Sequence, residues 1–293
     1  MFSSFSRIAA VAAATVATGQ ALAADVPASR IMEAPPVPIA ANSPTFTVYS
    51  LFDGVYLENR FPGRFYKSHI YQSTNGINIS VTPDFSIGGG FIYSYVLNSL
   101  TYLNGRSEGD GITGFLTATL NVQNMFTVGA AAGLGRFSSD QVRPVGGISS
   151  FADIQSDTGF FSAYIQKDFG FGALTITPCA RVLFSTSETG AYFESTGIFN
   201  RAETSDLGQA AIGTTMSYAV PVGSMTLYPM LEANFLYDFQ RPLYQRDRTA
   251  FDVKAGVSAT AGKFSFGLAY VTVLGREEYR TYHGGRAFVS YRF

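Results

Sequence analysis

Apolar and polar side chains alternate along most of the chain after residue 44. One clear example begins at Phe264, where the apolar positions are Phe264, Phe266, Leu268 and Tyr270, and Ser265, Gly267, Ala269 and Val271 lie between them. A period of two places successive side chains on opposite faces of a β-strand. The pattern therefore predicts a protein built from β-strands, each with one strongly apolar face.

The last segment carries this alternation to the end of the chain. Ala287, Val289, Tyr291 and Phe293 alternate with Phe288, Ser290 and Arg292. A final strand that ends on an aromatic residue resembles the terminal strand of bacterial outer-membrane barrels. In that family, Val289, Tyr291 and Phe293 imply recognition by the barrel-assembly machinery. The alternative is an ordinary edge strand that happens to end the chain.

Two kinds of break separate the alternating segments. The short breaks carry turn residues and lie at Thr82–Asp84, Val122–Asn124, Gly170–Ala173, Pro221–Ser224 and Ala261–Lys263. The long breaks are polar and lie at Asn59–Ser73, Tyr102–Asp110, Ser139–Ser156, Glu188–Ser205, Gln240–Arg248 and Glu278–His283. Short and long breaks alternate, which is typical of outer-membrane barrels with tight periplasmic turns and longer outside loops. We therefore predict an all-β fold, a transmembrane antiparallel up-and-down barrel of about 12 strands with both termini on the periplasmic side.

The alternation also predicts which face of each strand meets lipid. In the segment from Phe85, the apolar set is Phe85, Ile87, Phe91, Tyr93 and Tyr95, and small or polar residues lie between them. The pattern is poor only in Thr45–Glu58, where both faces carry apolar residues. A soluble β-sandwich is the competing fold, but its outer face would be rich in Lys and Glu. The small, polar second face therefore favours a barrel in lipid.

Composition and the N-terminus support an exported membrane protein. Aromatic residues make up 15% of the chain and charged residues only 14%, compared with about 25% charged in ordinary soluble domains. The net charge of −1 gives no electrostatic case for binding nucleic acid. We interpret residues 1–23 as a signal peptide, 24–44 as a Pro-rich linker and 45–293 as the barrel. The expected location is the Gram-negative cell outer membrane.

Four stretches carry a more specific resemblance. They read GALTITPCARVLFSTSETGAYFES from Gly172, MTLYPMLEANFLYDF from Met225, AFDVKAGVSATAGKFSFGLAYV from Ala250 and GGRAFVSYRF from Gly284. The chain thereby resembles the autotransporter β-domain, the translocator barrel of type V secretion. The resemblance implies the fold and the outer-membrane address. We expect no passenger domain, because only residues 24–44 separate the signal peptide from the barrel.

Three functions follow as hypotheses. The first is a stand-alone structural or surface barrel, or a narrow channel, and the second is a translocator that exports a short or separately encoded segment. The third is an outer-membrane lipid hydrolase, because His69, Ser73 and Asn75 loosely resemble the residues of outer-membrane phospholipase A. The spacing does not match that family, so we expect no enzyme. The expected partners are outer-membrane lipid and lipopolysaccharide, together with the assembly machinery.

Inward charged side chains form the candidate functional site. On the predicted inner face, Arg181, Lys254, Arg286 and Arg292 are expected to face Asp168, Glu232, Asp238 and Asp252 across the lumen. Such pairs either brace a narrow barrel interior or set ion selectivity in a pore. No cofactor or metal is expected, because Cys179 is alone and no metal-ligand cluster accompanies it.

Overall fold

A computed structural model describes residues 45–61, 64–100, 103–122, 125–241, 247–276 and 279–293. The predicted signal peptide and Pro-rich linker lie outside these residues. The described residues form sixteen strands, and they include no helix that could span a membrane. In chain order, the strands are β1 (Thr45–Phe61), β2 (Arg64–Ser80), β3 (Phe85–Leu100), β4 (Gly105–Val122), β5 (Phe126–Val145), β6 (Ile148–Gln166), β7 (Phe169–Phe171), β8 (Leu174–Thr189), β9 (Tyr192–Phe193), β10 (Phe199–Asn200), β11 (Glu203–Tyr218), β12 (Val220–Val222), β13 (Met225–Gln240), β14 (Thr249–Ala261), β15 (Phe264–Leu274) and β16 (Tyr279–Arg292).

Twelve of these strands are long, and they form one closed antiparallel sheet. Each long strand pairs with the next along the chain, and β16 returns to pair with β1. The pairing of β8 with β11 completes the ring on the other side. The short strands β7 and β12 continue β6 and β11 past a one- or two-residue break, and β9 and β10 form a small separate hairpin. The predicted twelve-stranded barrel is thus confirmed.

The barrel has two different ends. Thr45 and Phe293 lie at the end that carries the short turns, and the hydrogen bond from the Phe293 amide to the Phe46 carbonyl ties the two termini together. Outer-membrane barrels place their short turns and termini on the periplasmic side. We call this the inner end and the opposite one the outer end.

The prediction that the long polar breaks are loops is wrong in four places. Strand β2 begins at Arg64, β4 begins at Gly105, β16 begins at Tyr279, and the hairpin of β5 and β6 turns only at Gly146 and Gly147. Both glycines have positive φ (59° and 88°), as a two-residue type I′ turn requires. The strands continue beyond the lipid-facing band, where both faces are polar and the alternation that identified strands disappears.

The predicted faces are confirmed along the strands. Phe85, Phe91 and Tyr93 point outward and are exposed, whereas Ser94 between them is buried on the inner face. Strand β1 also alternates regularly, with Phe46 and Phe52 outward. Its pattern looked poor because its inner face carries large apolar residues, among them Leu51, Val55 and Leu57.

Candidate functional site

The inward side chains change from partly exposed to buried along the barrel axis. On β13, Thr226, Tyr228 and Met230 near the inner end are partly exposed, whereas Glu232, Asn234, Leu236 and Asp238 near the outer end are buried. Strand β8 shows the same change between Arg181 and Leu183. Along these two strands, the outer half of the lumen is therefore filled by the protein's own side chains, and the inner half forms a part-exposed cup at the inner end.

An apolar cluster fills part of this outer half. We call it the outer-lumen cluster: Val55, Leu57, Tyr66, Ile70, Val96, Leu100, Phe137 and Tyr282. Its members come from β1, β2, β3, β5 and β16. Val273 on β15 packs against it and also against a second group, Ala211, Leu236 and Ala250. Apolar contacts thus extend around much of the inner wall.

Buried ion pairs lie beside this apolar packing. Lys254 Nζ lies 2.5 Å from a Glu232 carboxylate oxygen, and Arg286 Nε lies 2.9 Å from Asp53 Oδ1. Arg276 is 2.7 Å from Asp238, which also accepts a hydrogen bond from the Gln209 amide. The charged side chains of all three pairs are less than one-tenth exposed. Their geometry is that of mutual charge compensation inside a barrel.

The sequence predicted several of these inward charges but not all of their partners. Glu232 and Lys254 lie directly opposite each other on β13 and β14. Arg181, Asp252 and Arg292 lie on the inner face but are only partly buried. Asp168 is exposed at the inner end, where it accepts a hydrogen bond from Thr177.

Asp53 and Arg276 are two of the buried charges that sequence reasoning missed. Asp53 lies opposite Arg286 across the seam between β1 and β16. The available signal was a single carboxylate on the inward face of β1, which it shares with Leu51 and Val55. Arg276 follows the end of β15, outside any alternating segment, so no pattern could place it.

The hairpin of β9 and β10 packs onto the outer extension of β5 and β6. Glu194 is only 3% exposed, and its carboxylate accepts hydrogen bonds from Arg143, Ser150 and Asn200. Burial opposes the charged form of Glu194, but these hydrogen bonds outweigh it and lower the pKa of the carboxyl. Tyr192 on the same hairpin packs against inward residues of β6. The hairpin is thus fixed at the outer mouth.

This anchoring predicts a loss of hairpin protection in acid. The folded pKa of Glu194 lies below its ordinary value of 4.5, so its contribution to stability is present above that value and is lost as the pH falls through the lowered one. Amide hydrogen exchange of residues 190–200, corrected for intrinsic rates, should show protection at pH 6 that falls at about pH 3. Glu194→Gln should weaken the protection at pH 6 by about 1.5–3 kcal/mol. The exposed Glu188→Gln should change nothing, and equal protection at both pH values would contradict the prediction.

The proposed assembly residues lie on the outer face of the final strand. Val289 and Phe293 are exposed towards lipid. The ring of Phe293 contacts those of Tyr291 and Phe46, with centroids 4.8 and 5.4 Å away. These aromatic residues form part of a ring of side chains at the inner end of the barrel.

The residues of the hydrolase hypothesis also lie on the lipid-facing side. His69 and His283, expected on outside loops, lie instead within β2 and β16. The Asn75 amide donates to Ser73 Oγ at 2.9 Å. His69, however, is four residues along β2 from Ser73, a separation of about 13 Å. Among the described residues, no group of three or more His, Cys, Asp or Glu side chains is placed to hold a metal ion.

These features define the class of protein. The chain is an outer-membrane β-barrel, with an apolar outer face, a closed ring of antiparallel strands and a lumen lined by small, polar and charged residues. The model of the autotransporter β-domain family matches residues 59–274. The chain therefore belongs to the autotransporter β-domain family.

Solved structures agree on the fold. The translocator domain of the autotransporter NalP from Neisseria meningitidis superposes with a TM-score of 0.74, at 16% identity over 95% of this chain and 97% of that one. The β-domain of the Bordetella autotransporter BrkA gives 0.65, at 15% identity over 85% and 99%. The transport unit of AIDA-I from Escherichia coli gives 0.65, at 13% identity over 95% and 97%. No curated protein sequence matches this chain.

Proposed function

We propose that this chain is a stand-alone surface barrel whose own side chains close the lumen towards the outside. The observation that carries the proposal is the burial of the inward side chains in the outer half of the barrel. Ion pairs between neighbouring strands and the outer-lumen cluster occupy the space that a permeating solute would need. The inward charges accordingly act as internal braces.

Single-channel recording in a planar bilayer tests this proposal. We expect no ion-conducting steps from the unmodified barrel. The double variant Phe137→Ala/Tyr282→Ala removes two large side chains of the outer-lumen cluster and should produce resolved steps. Leu134→Ala is the matched control, because Leu134 is on the same strand as Phe137 but is 78% exposed on the lipid-facing side. Steps from the unmodified protein that change with Arg181→Ala or Glu232→Gln would instead establish a narrow channel.

Chemical labelling of the single cysteine tests whether the cup is reached only from the inner end. Cys179 lies on β8 below the buried section and is partly exposed. A polymer-linked maleimide too large for general porins should leave Cys179 unmodified in intact cells and modify it once the outer membrane is permeabilised. In a Cys179→Ser background, Thr196→Cys on the outer hairpin should react in intact cells. Rapid labelling of Cys179 in intact cells would contradict the closed outer half.

A translocator is the second candidate, and one observation favours it. Strand β1 starts at the inner end, where the lumen is lined by part-exposed small residues such as Thr175, Thr177 and Ser217. A segment before Thr45 therefore has direct access to the cup. An epitope tag inserted after Arg30 distinguishes the two roles. Antibody binding on intact cells would establish export, whereas binding only after permeabilisation would support the stand-alone barrel.

His69 and Ser73 are too far apart to act together in catalysis. We propose no hydrolase activity, because a serine nucleophile needs a base within hydrogen-bond reach and His69 is about 13 Å from Ser73. Lipase activity that disappears in His69→Ala would overturn the proposal that the chain is not a hydrolase.

We propose that the barrel-assembly machinery contacts Val289, Tyr291 and Phe293, since these residues line the outer face of the closing strand.

A further inference from the structure

The two histidines of the chain lie on either side of one tyrosine. Tyr56 on β1 is directly opposite His69 on β2 and directly opposite His283 on β16. Its ring centroid is 5.1 Å from that of His69 and 5.3 Å from that of His283. Both imidazoles are exposed on the outer face, about 10 Å apart across two strand spacings. We call these three side chains the histidine row.

The histidine row lies where the lipid-facing band ends. On β1, the outward positions start with Phe46 at the inner end, and Glu58 follows Tyr56 at the outer end. Ten residues of a tilted strand separate Phe46 from Tyr56, a height of about 25 Å. This equals the usual height of the apolar band on such barrels. The row is therefore at the level of the lipid headgroups in the outer leaflet.

The two charged neighbours of the row offset each other, so the imidazoles themselves are what would attract an anionic ligand. Lys67 precedes His69 on the same face of β2, and Glu58 lies directly opposite Lys67 on β1. Among the described side chains these are the charged neighbours of the row on its own strands. An imidazole gains positive charge in mildly acidic solution, and imidazolium and ammonium groups both bind phosphate oxygens strongly.

Acidic side chains lie in cross-strand register on the outer face of β4, β5 and β6. Glu108 on β4 is directly opposite Asp140 on β5, which is directly opposite Asp153 on β6. Like charges in cross-strand register repel one another and also repel an anion. An anionic headgroup would therefore approach the histidine row and avoid this acidic face.

We propose that His69, Tyr56 and His283 form a binding site for the phosphate groups of an outer-leaflet lipid. In this site the two imidazolium rings donate N–H hydrogen bonds to phosphate oxygens, the Tyr56 hydroxyl donates between them, and Lys67 contributes at the upper edge. The acyl chains of the lipid then lie along the outward apolar residues below the row. The site does not depend on whether the lumen is closed.

The small number of histidines makes the test direct. Selective isotope labelling of histidine gives two imidazole signals, one from His69 and one from His283. The labelled barrel is placed in nanodiscs of phosphatidylcholine with bisphosphorylated lipid A, or with dephosphorylated lipid A of the same acylation. At pH 6, we expect both signals to shift with the phosphorylated lipid and to remain unchanged with the dephosphorylated one. Equal responses to the two lipids would overturn the proposal.

Two controls separate a specific site from general attraction. In a His69→Gln/His283→Gln background, Gln155→His places an imidazole on the acidic face and should not respond to the phosphorylated lipid. A response as large as that of the natural histidines would overturn the proposal. Inorganic phosphate in pure phosphatidylcholine nanodiscs tests the source of the anion, and equal shifts there would overturn the assignment to lipid.

Lipid binding measured by native mass spectrometry gives a second readout. His69→Gln/His283→Gln should bind phosphorylated lipid A at least about tenfold more weakly at pH 6, because it removes two charge-assisted hydrogen bonds. Unchanged affinity in the double variant, together with unaltered folding, would refute the site.

Discussion

The substitution Gly90→Ala should strongly destabilise the barrel. A Cβ atom added at Gly90 would lie 2.7 Å from the Cα atom of Gly76 and closer still to the carbonyl oxygen of Asn75. Both atoms belong to the backbone of the paired strand β2, so no side-chain rotation can relieve the contact. We expect a loss of at least about 3 kcal/mol in the free energy of unfolding, because overpacking against backbone forces the strands apart.

Urea unfolding in lipid vesicles measures this effect. Circular dichroism is the suitable signal, because the chain contains no tryptophan. Gly114→Ala is the matched control, since a Cβ there meets no atom within 4 Å, and its stability should change by no more than about 0.5 kcal/mol. If both variants unfold at the urea concentration of the unmodified protein, the close approach of β2 and β3 is not a constraint on folding.

The close approach of these strands also involves Tyr49. A Cβ at Gly76 would lie 2.5 Å from the Tyr49 hydroxyl, so this inward tyrosine covers the glycine from the next strand. An aromatic ring over a glycine of the neighbouring strand is a known device for stabilising a curved sheet. The glycine at position 76 is thus explained by packing between strands.

Removing one partner of the ion pair that joins the first and last strands should also be strongly destabilising. Arg286→Met leaves the Asp53 carboxylate buried without its partner, at an expected cost of about 3–5 kcal/mol. The double variant Asp53→Leu/Arg286→Met replaces both charges by apolar groups and should recover most of this loss, because no isolated charge remains. Urea unfolding in vesicles provides the comparison.

An exposed ion pair on another strand pair provides the control. Arg136 Nε is 2.8 Å from Asp157 Oδ1, but the two side chains are 68% and 64% exposed. Arg136→Met should therefore cost less than about 1 kcal/mol. If Arg286→Met and Arg136→Met have the same effect, burial at the β1–β16 seam does not govern the strength of the pair.

The sequence predicts which side chains point into the barrel, but not always which of them pair. Alternation placed Arg286, Lys254 and Glu232 on the inner face, because the side a residue faces depends only on whether its position is odd or even within the strand. Pairing depends on register between strands. Glu232 and Lys254 are on consecutive strands, but the partner of Arg286 is 233 positions away on β1.

The outer part of the barrel shows the same limit. The polar break Ser139–Ser156 was predicted as a loop, although it continues β5 and β6 and turns at two glycines. Lipid requires apolar outward residues, and above the lipid this requirement ends while the backbone hydrogen bonds continue. The Gly146-Gly147 pair was the one local signal of the hairpin. The anchoring of Glu194 by Arg143 could not be predicted, because the two residues are 51 positions apart.

The sequence by itself determined the number of long strands, which is even as a barrel requires, and their lipid-facing sides, since both follow from local alternation and the position of turns. Only the tertiary structure decided that the outer lumen is filled, that Asp53 compensates Arg286 and that the two histidines lie on either side of Tyr56. Each of these depends on closing β16 against β1, which brings residues from opposite ends of the chain into one register. Such a register is fixed by the packing of the whole sheet and leaves no trace in any single strand.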